Sequence, residues 1–261
     1  MLFGLASNAH AHDFWLAPHT YHLDKPEKTG VTIMVGHPKD RTEWSTDAHR
    51  IVSFKSIGRN GIQDQQTSLN GFKDAGNLSL SLKDTGTHIL AIETAPAQNI
   101  LSGADFNAYL DEEGLTPIKQ IRAKSKTTNT AGREIYSRRS KALIQVGSLD
   151  AISDLIVTKP IGHTLEIVPT KNPYSLALEE EMGMQVYYRG LPTSGIKVLL
   201  ISLDTIAGDV AMAKTDANGL VSFKRPPSGN WMVHAVWSAP IENDERADFD
   251  TTFSSLSFGF K

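Results

Sequence analysis

The stretch "LSLSLKDTGTHILAIET" (residues 78–94) decides how the chain reads. Leu78, Leu80 and Leu82 alternate with Ser79 and Ser81, the period-two pattern of a strand with one buried face. "KDTG" then breaks the pattern with turn residues, and "THILAIET" resumes it with a longer apolar run. The same alternation continues outward. "VTIMVGH" (31–37) and "HRIVSFKSI" (49–57) precede it, and "GRNG" and "LNGFKDAGN" punctuate it. Short strands with frequent turn signals predict an antiparallel sandwich or barrel.

Residues 100–143 depart from this pattern. "SGADFNAYLDEEG" offers Ser102 as a helix N-cap, apolar residues at helical spacing and Gly114 as a stop, so a helix is expected near 104–113. "RAKSKTTNTAGR" (122–133) is polar and reads as a mobile loop. "GREIYSRRSKALIQVG" then returns to an apolar strand. Near residue 150 the strand pattern restarts, with "HTLEIVPT", "GMQVYYRG", "GIKVLLISL", "GLVSFKRP", "NWMVHAVWSA" and "FSSLSFGF". "TDANG" (215–219) supplies a turn, with Asp216 and Asn218 free to bond the backbone and Gly219 free to take positive φ. The expected fold is mainly β. It has two tandem β-sandwich domains of immunoglobulin-like or transthyretin-like kind, with a short helical insertion in the first. The domains are drawn at 12–155, with the helix and loop insertion at 100–143, and at 156–261.

A chain of 261 residues with a net charge of −3 and no cysteine excludes several classes. Its pI near 6.3 argues against nucleic-acid binding. Disulfides, thiolate metal sites and cysteine nucleophiles are ruled out. No window approaches the roughly 18 apolar residues of a membrane span. The start, "MLFGLASNAHA", joins a short apolar run to Ala9-His10-Ala11, a small-x-small cleavage pattern. Residues 1–11 therefore read as the remnant of a signal peptide, and the periplasm as the destination.

Enzyme signatures are missing: there is no nucleophile elbow, P-loop or dinucleotide fingerprint. Glu179-Glu180-Glu181 reads as a solvated loop. The basic run Arg138, Arg139 and Lys141 reads as a solvent-facing or ion-paired segment. The four tryptophans, Trp15, Trp44, Trp231 and Trp237, read as core anchors. Histidine is the unusual feature. Of nine, six fall within the first fifty residues: His10, His12, His19, His22, His37 and His49. Neutral imidazole ligates nickel, cobalt, copper and zinc. A cut after Ala11 would make His12 the first residue, so that its amine and ring chelate one ion together. A cut after Ala9 would instead place His12 third, suited to square-planar Cu(II) or Ni(II).

Several stretches together resemble a family of periplasmic bacterial proteins of unknown function linked to cobalt/nickel transport systems. They are "AHDFWLAP", "VGHPKD" with a following "EW", "RIVSF", "GTHILAIET", "FNAYLDEEGL", "GREIYSRRSKALIQVG", "LEIVPTKNPYSL", "TDANGLVSF" and "NWMVHAV". The resemblance runs from residue 11 to about 237. It implies export, a β-sandwich architecture and the handling of a divalent transition metal. The histidines in matching motifs are His12, His37 and His88. Where the family has a histidine after "AV", this chain has Trp237, and the closest histidine is His234.

The leading expectation is a non-catalytic periplasmic protein that binds nickel, cobalt or copper through His12, His37 and His88. It would buffer the ion or pass it to a membrane importer component. Two alternatives stand beside it: a copper mono-oxygenase with an N-terminal histidine brace, and a structural or adhesion module. Processing is directly measurable. Protein recovered from the periplasm should have the intact mass of a chain lacking its first nine or eleven residues, and a mass that retains Met1 would refute export by this route.

Overall fold

The computed structural model describes residues 13–37, 40–44, 48–69, 78–205 and 210–261. The first half holds β1 (Phe14–Pro18), β2 (His22–Leu23), β3 (Lys28–Val35), β4 (Thr42–Glu43), β5 (Ile51–Gly58), β6 (Gly61–Asp64), β7 (Leu78–Ser81), β8 (Gly86–Thr94) and β9 (Ala97–Leu101). Two helices follow, α1 (Gly103–Glu112) and α2 (Thr116–Lys124), then the long β10 (Gly132–Val146) and α3 (Ala151–Val157). The second half holds β11 (Leu165–Pro169), β12 (Glu181–Tyr188), β13 (Leu191–Pro192), β14 (Lys197–Ser202), β15 (Val210–Lys214), β16 (Leu220–Lys224), β17 (Gly229–Pro240) and β18 (Phe249–Phe260). The fold is mainly β, as the alternation predicts. No helix among the described residues is long and apolar enough to cross a membrane.

The two halves meet in one sheet. Its path runs β15-β14-β17-β18-β10-β8-β5-β6, with β2 and β9 also paired to β10. The junction is the parallel pair β10–β18, in register from Glu134 opposite Phe249 to Ala142 opposite Ser257. A sheet covered on both sides needs strands that are apolar or satisfied on both faces. β18, "FDTTFSSLSFGF", is buried at every position but Asp250. Two smaller sheets cover the central one. Sheet β1-β3-β4, with β7, packs Phe14, Leu16, Val31 and Ile33 against Leu90, Ile92, Ala142 and Ile144. Sheet β11-β12-β13, with β16, packs Ile167, Met182 and Val186 against Leu143, Val198, Val233 and Leu256. Ala142 and Leu143 are adjacent in β10, so the two cores lie on opposite faces of the same strand.

The helix at 104–113 forms as its caps predict. Ser102 Oγ accepts the Asp105 N–H at 3.2 Å, and Gly114 takes φ +69° just past the end. Beyond it the structure differs from expectation. Residues 116–124 are helical, and 125–131 are tied down: Arg122 Nη2 donates to the Thr130 carbonyl at 2.7 Å and Asn107 to the Thr128 carbonyl at 2.9 Å. Gly103 also packs directly on Asn129. The turn at 215–219 matches its reading, since Asp216 Oδ1 accepts from the backbone N–H groups of Asn218 and Leu220, each at 2.8 Å.

Of the two readings of the basic run, the structure shows the ion-paired one: Arg139 pairs with Glu93 at 3.2 Å and Lys141 with Glu166. Arg138 and Lys141 are buried within β10. Lys141 Nζ meets Glu166 Oε1 at 2.7 Å, with the two side chains 2% and 1% exposed. Glu166 also accepts the backbone N–H groups of Ile161, Gly162 and His163. The pair thus clamps the loop before β11 onto the central sheet. Removing one partner of such a pair strands a buried charge, which costs about 3–5 kcal/mol. Glu166→Gln should therefore destabilise the protein by about that much in a urea titration, and adding Lys141→Met should recover much of the loss. Unchanged stability in Glu166→Gln would contradict the clamp.

Candidate functional site

Asp13 immediately precedes β1. Its position is set by β1, which lies across the face of the central sheet. Ser255 and Ser257 donate their hydroxyls to the carbonyls of Phe14 and Leu16, both at 2.6 Å, and Ser140 Oγ accepts the Leu16 N–H at 3.1 Å. The Asp13 carbonyl accepts the N–H of Gly36 at 3.0 Å. Gly36 has φ +117°, and a Cβ there would come within 2.7 Å of the Arg41 backbone, so this position demands glycine. That turn delivers His37 beside Asp13. It is closed by the His37 N–H donating to Asp40 Oδ1 at 2.9 Å.

Two further groups arrive from the other half of the sheet and from α1. His234 stands in mid-β17 opposite Ser255 and is 2% exposed. Glu113 caps the C-terminus of α1, and its N–H donates to the Tyr109 carbonyl at 2.9 Å. The end of α1 is held against β14, where Lys197 Nζ reaches the Glu112 carbonyl and packs on Gly114. Asp13, Glu113 and His234 are all buried.

These four side chains converge on one point. His234 Nε2 lies 3.4 Å from Asp13 Oδ1 and 3.9 Å from Glu113 Oε2, and His37 Nδ1 lies 3.9 Å from Asp13 Oδ2. Among the described residues, neither ring nitrogen of His234 has a hydrogen bond of good geometry. The Asp13 carboxylate raises the His37 pKa to about 9 against the opposing effect of burial. Burial pulls the His234 pKa down, but Asp13 and Glu113 outweigh it, and the value stands above the ordinary one. Behind Glu113, burial raises the pKa of Glu134, which accepts hydrogen bonds from Thr251, Asn99 and Tyr109. The cluster therefore opposes two carboxylates to two imidazoles that hold their protons longer than usual. As the side chains stand, no three His, Asp or Glu groups among the described residues form a ready metal-holding set. The separations of 3.4–3.9 Å nevertheless lie near the roughly 3.4 Å between donors of a tetrahedral ion with bonds of about 2.1 Å.

Of the three predicted ligands, the structure places His37 in this cluster. His12 lies outside the described residues, one position before Asp13. His88 is elsewhere, opposite Ile144 on β10, whereas His234 is level with Ser140 through Ser255. That offset is three strands across and four residues along, about 19 Å at ordinary sheet spacings. His88 Nε2 is within 2.9 Å of the Asp84 carbonyl, and the ring packs on Gly58. His234, Asp13 and Glu113 are not among the predicted ligands. Asp13 carries a sequence signal in its place beside His12. Nothing local marks Glu113, since its role depends on the end of α1 meeting β17.

The chain belongs to the family described as Domain of unknown function (DUF4198), which it matches over residues 9–239. No match is found among curated proteins. Among solved structures, the D0-D1 domain of Intimin is 13% identical over 94% of this chain and 97% of that one, at a TM-score of 0.23. So slight a likeness bears on neither fold nor function.

The Asp13–His37 pair makes a pH-dependent contribution to stability. A histidine raised from 6.5 to about 9 stabilises the fold fully below pH 6.5 and loses that contribution as pH rises through 9. Metal-free protein should thus lose stability between those values. In Asp13→Asn the His37 ring should titrate closer to 6.5 by NMR, and an unmoved titration would show that Asp13 does not set it.

Proposed function

We propose that this protein is a non-catalytic periplasmic carrier or buffer of a divalent transition-metal ion, as its resemblance to cobalt/nickel transport components suggests. Its cargo site would be Asp13, His37, Glu113 and His234, completed by His12. In this reading His88 is a structural histidine, and the chain is a pair of β-sandwich units sharing their central sheet.

The observation that carries the reading is the convergence of two imidazoles and two carboxylates from four distant segments, with no hydrogen bond to either ring nitrogen of His234 among the described residues. Imidazole and carboxylate donors suit nickel, cobalt, copper and zinc. The charge balance points the same way. Two imidazolium protons cancel the two carboxylates, and a divalent cation supplies the same two charges once those protons leave. Loading is then an exchange of protons for metal, and acidification favours release. His12 directly precedes Asp13 in the sequence, so its ring would supply a third nitrogen, and a cut after Ala11 would add a fourth from the amine.

Isothermal titration of processed protein with Ni(II), Co(II) and Cu(II), in buffers of different ionisation enthalpy, tests this. Binding should release about two protons per ion from His37 and His234 at mildly acidic pH, and more where His12 and the α-amine join the site. Affinity should keep rising with pH toward 9, where His37 loses its proton. His234→Ala and Asp13→Ala should each weaken binding by roughly tenfold or more, and His88→Ala should leave it nearly unchanged. If His37→Ala and His234→Ala both bind every ion as tightly as the parent, the site is wrong.

A further inference from the structure

A second concave site lies at the corner between α2 and the ends of β10, β17 and β18. Its cavity is about 450 Å³ and is lined by Arg122, Ser125, Thr130, Pro240, Ile241 and Phe249 among others. Arg122 is only 2% exposed. Among the described residues its hydrogen bonds come from Nη2, to the carbonyls of Thr128 and Thr130. Nε is buried and makes none. Phe106 covers one face of the guanidinium, 4.9 Å from its centroid.

The charge around it does not balance. Asp248, which also lines the cavity, is taken by Arg133, whose Nε and Nη2 reach the two Asp248 oxygens at 3.1 and 2.6 Å. Among the described residues, Arg122 makes no ion pair. Two guanidinium groups and one carboxylate leave one positive charge in a cleft whose remaining walls include Phe249, Pro240 and Ile241. A buried cation without a counter-charge is costly, and a guanidinium is matched in shape by a carboxylate. We infer that this cavity binds a small monoanionic carboxylate, with its charged end at Arg122 and a short apolar chain against Phe249, Pro240 and Ile241. The loop that frames the cavity is preformed, because Arg122 and Gly103 hold it. This site is independent of the metal reading.

Sodium butyrate is a suitable probe, titrated into the full chain and followed by NMR. The Arg122 Nε–Hε resonance should shift saturably, and that signal would not move if Arg122 only held its loop. Equal concentrations of n-butanol and of inorganic phosphate should bind at least roughly tenfold more weakly, the first lacking the charge and the second the chain. Arg122 variants would also disturb the loop, so the variant of choice is Ile241→Asp at the partly exposed rim. It cancels the positive charge without touching the core, and it should abolish the butyrate shift while the protein stays folded. No saturable shift with butyrate, an unaltered affinity in Ile241→Asp, or phosphate binding as tightly as butyrate would each overturn the assignment.

Discussion

Three serine hydroxyls hold the first strand to the middle of the molecule, and the candidate site depends on them. β1 crosses over the face of the central sheet, where in-plane pairing is impossible on that side. Its other edge is taken by β3, from Phe14 opposite Val35 to Pro18 opposite Val31. The inward carbonyls of Phe14 and Leu16 would be buried without partners, at about 1–3 kcal/mol each. Ser255 and Ser257 supply the missing donors and Ser140 the missing acceptor, so side chains take the part of a neighbouring strand. Ser255 also faces His234 across β17–β18. One residue therefore sets both the position of Asp13 and that of the imidazole it meets.

Much of the fold is legible along the chain because strand alternation and turn chemistry are local. Leu78, Leu80 and Leu82 face inward as their spacing requires, and Gly219 takes the positive φ its turn needs. The union of the halves is not legible. It rests on β10 lying parallel to β18, a pairing between residues more than a hundred positions apart that no local period encodes. The charges of β10 are partly legible for a related reason. Ion pairing is one of the two readings the sequence allows, but the burial is not local: Phe14 and Tyr136 stack on Arg138, and Glu166 neutralises Lys141.

The site is half legible. A glycine before a histidine at the end of an alternating run marks His37, and the structure gives the reason in Gly36. Counting histidines, however, weights imidazole over carboxylate. Asp13 and Glu113 contribute as much charge to the cluster and are invisible to that count. His88 shows the converse. Its motif is strand-like and matches the family, yet the pleat and register that bury it also carry it three strands away from His234.

The place of β18 has a kinetic side. Hydroxyls on this strand close contacts 241 positions back along the chain, at Phe14 and Leu16. It also lies between β17 and β10 in the middle of the sheet. The core beneath sheet β11-β12-β13 includes Leu256, Phe258 and Phe260 of this strand, so it cannot be sealed before β18 has docked. Structures dominated by such distant contacts pay their loop-closure entropy first and fold slowly. Closure of the central sheet therefore waits for the strand that lies farthest along the chain from the contacts it completes.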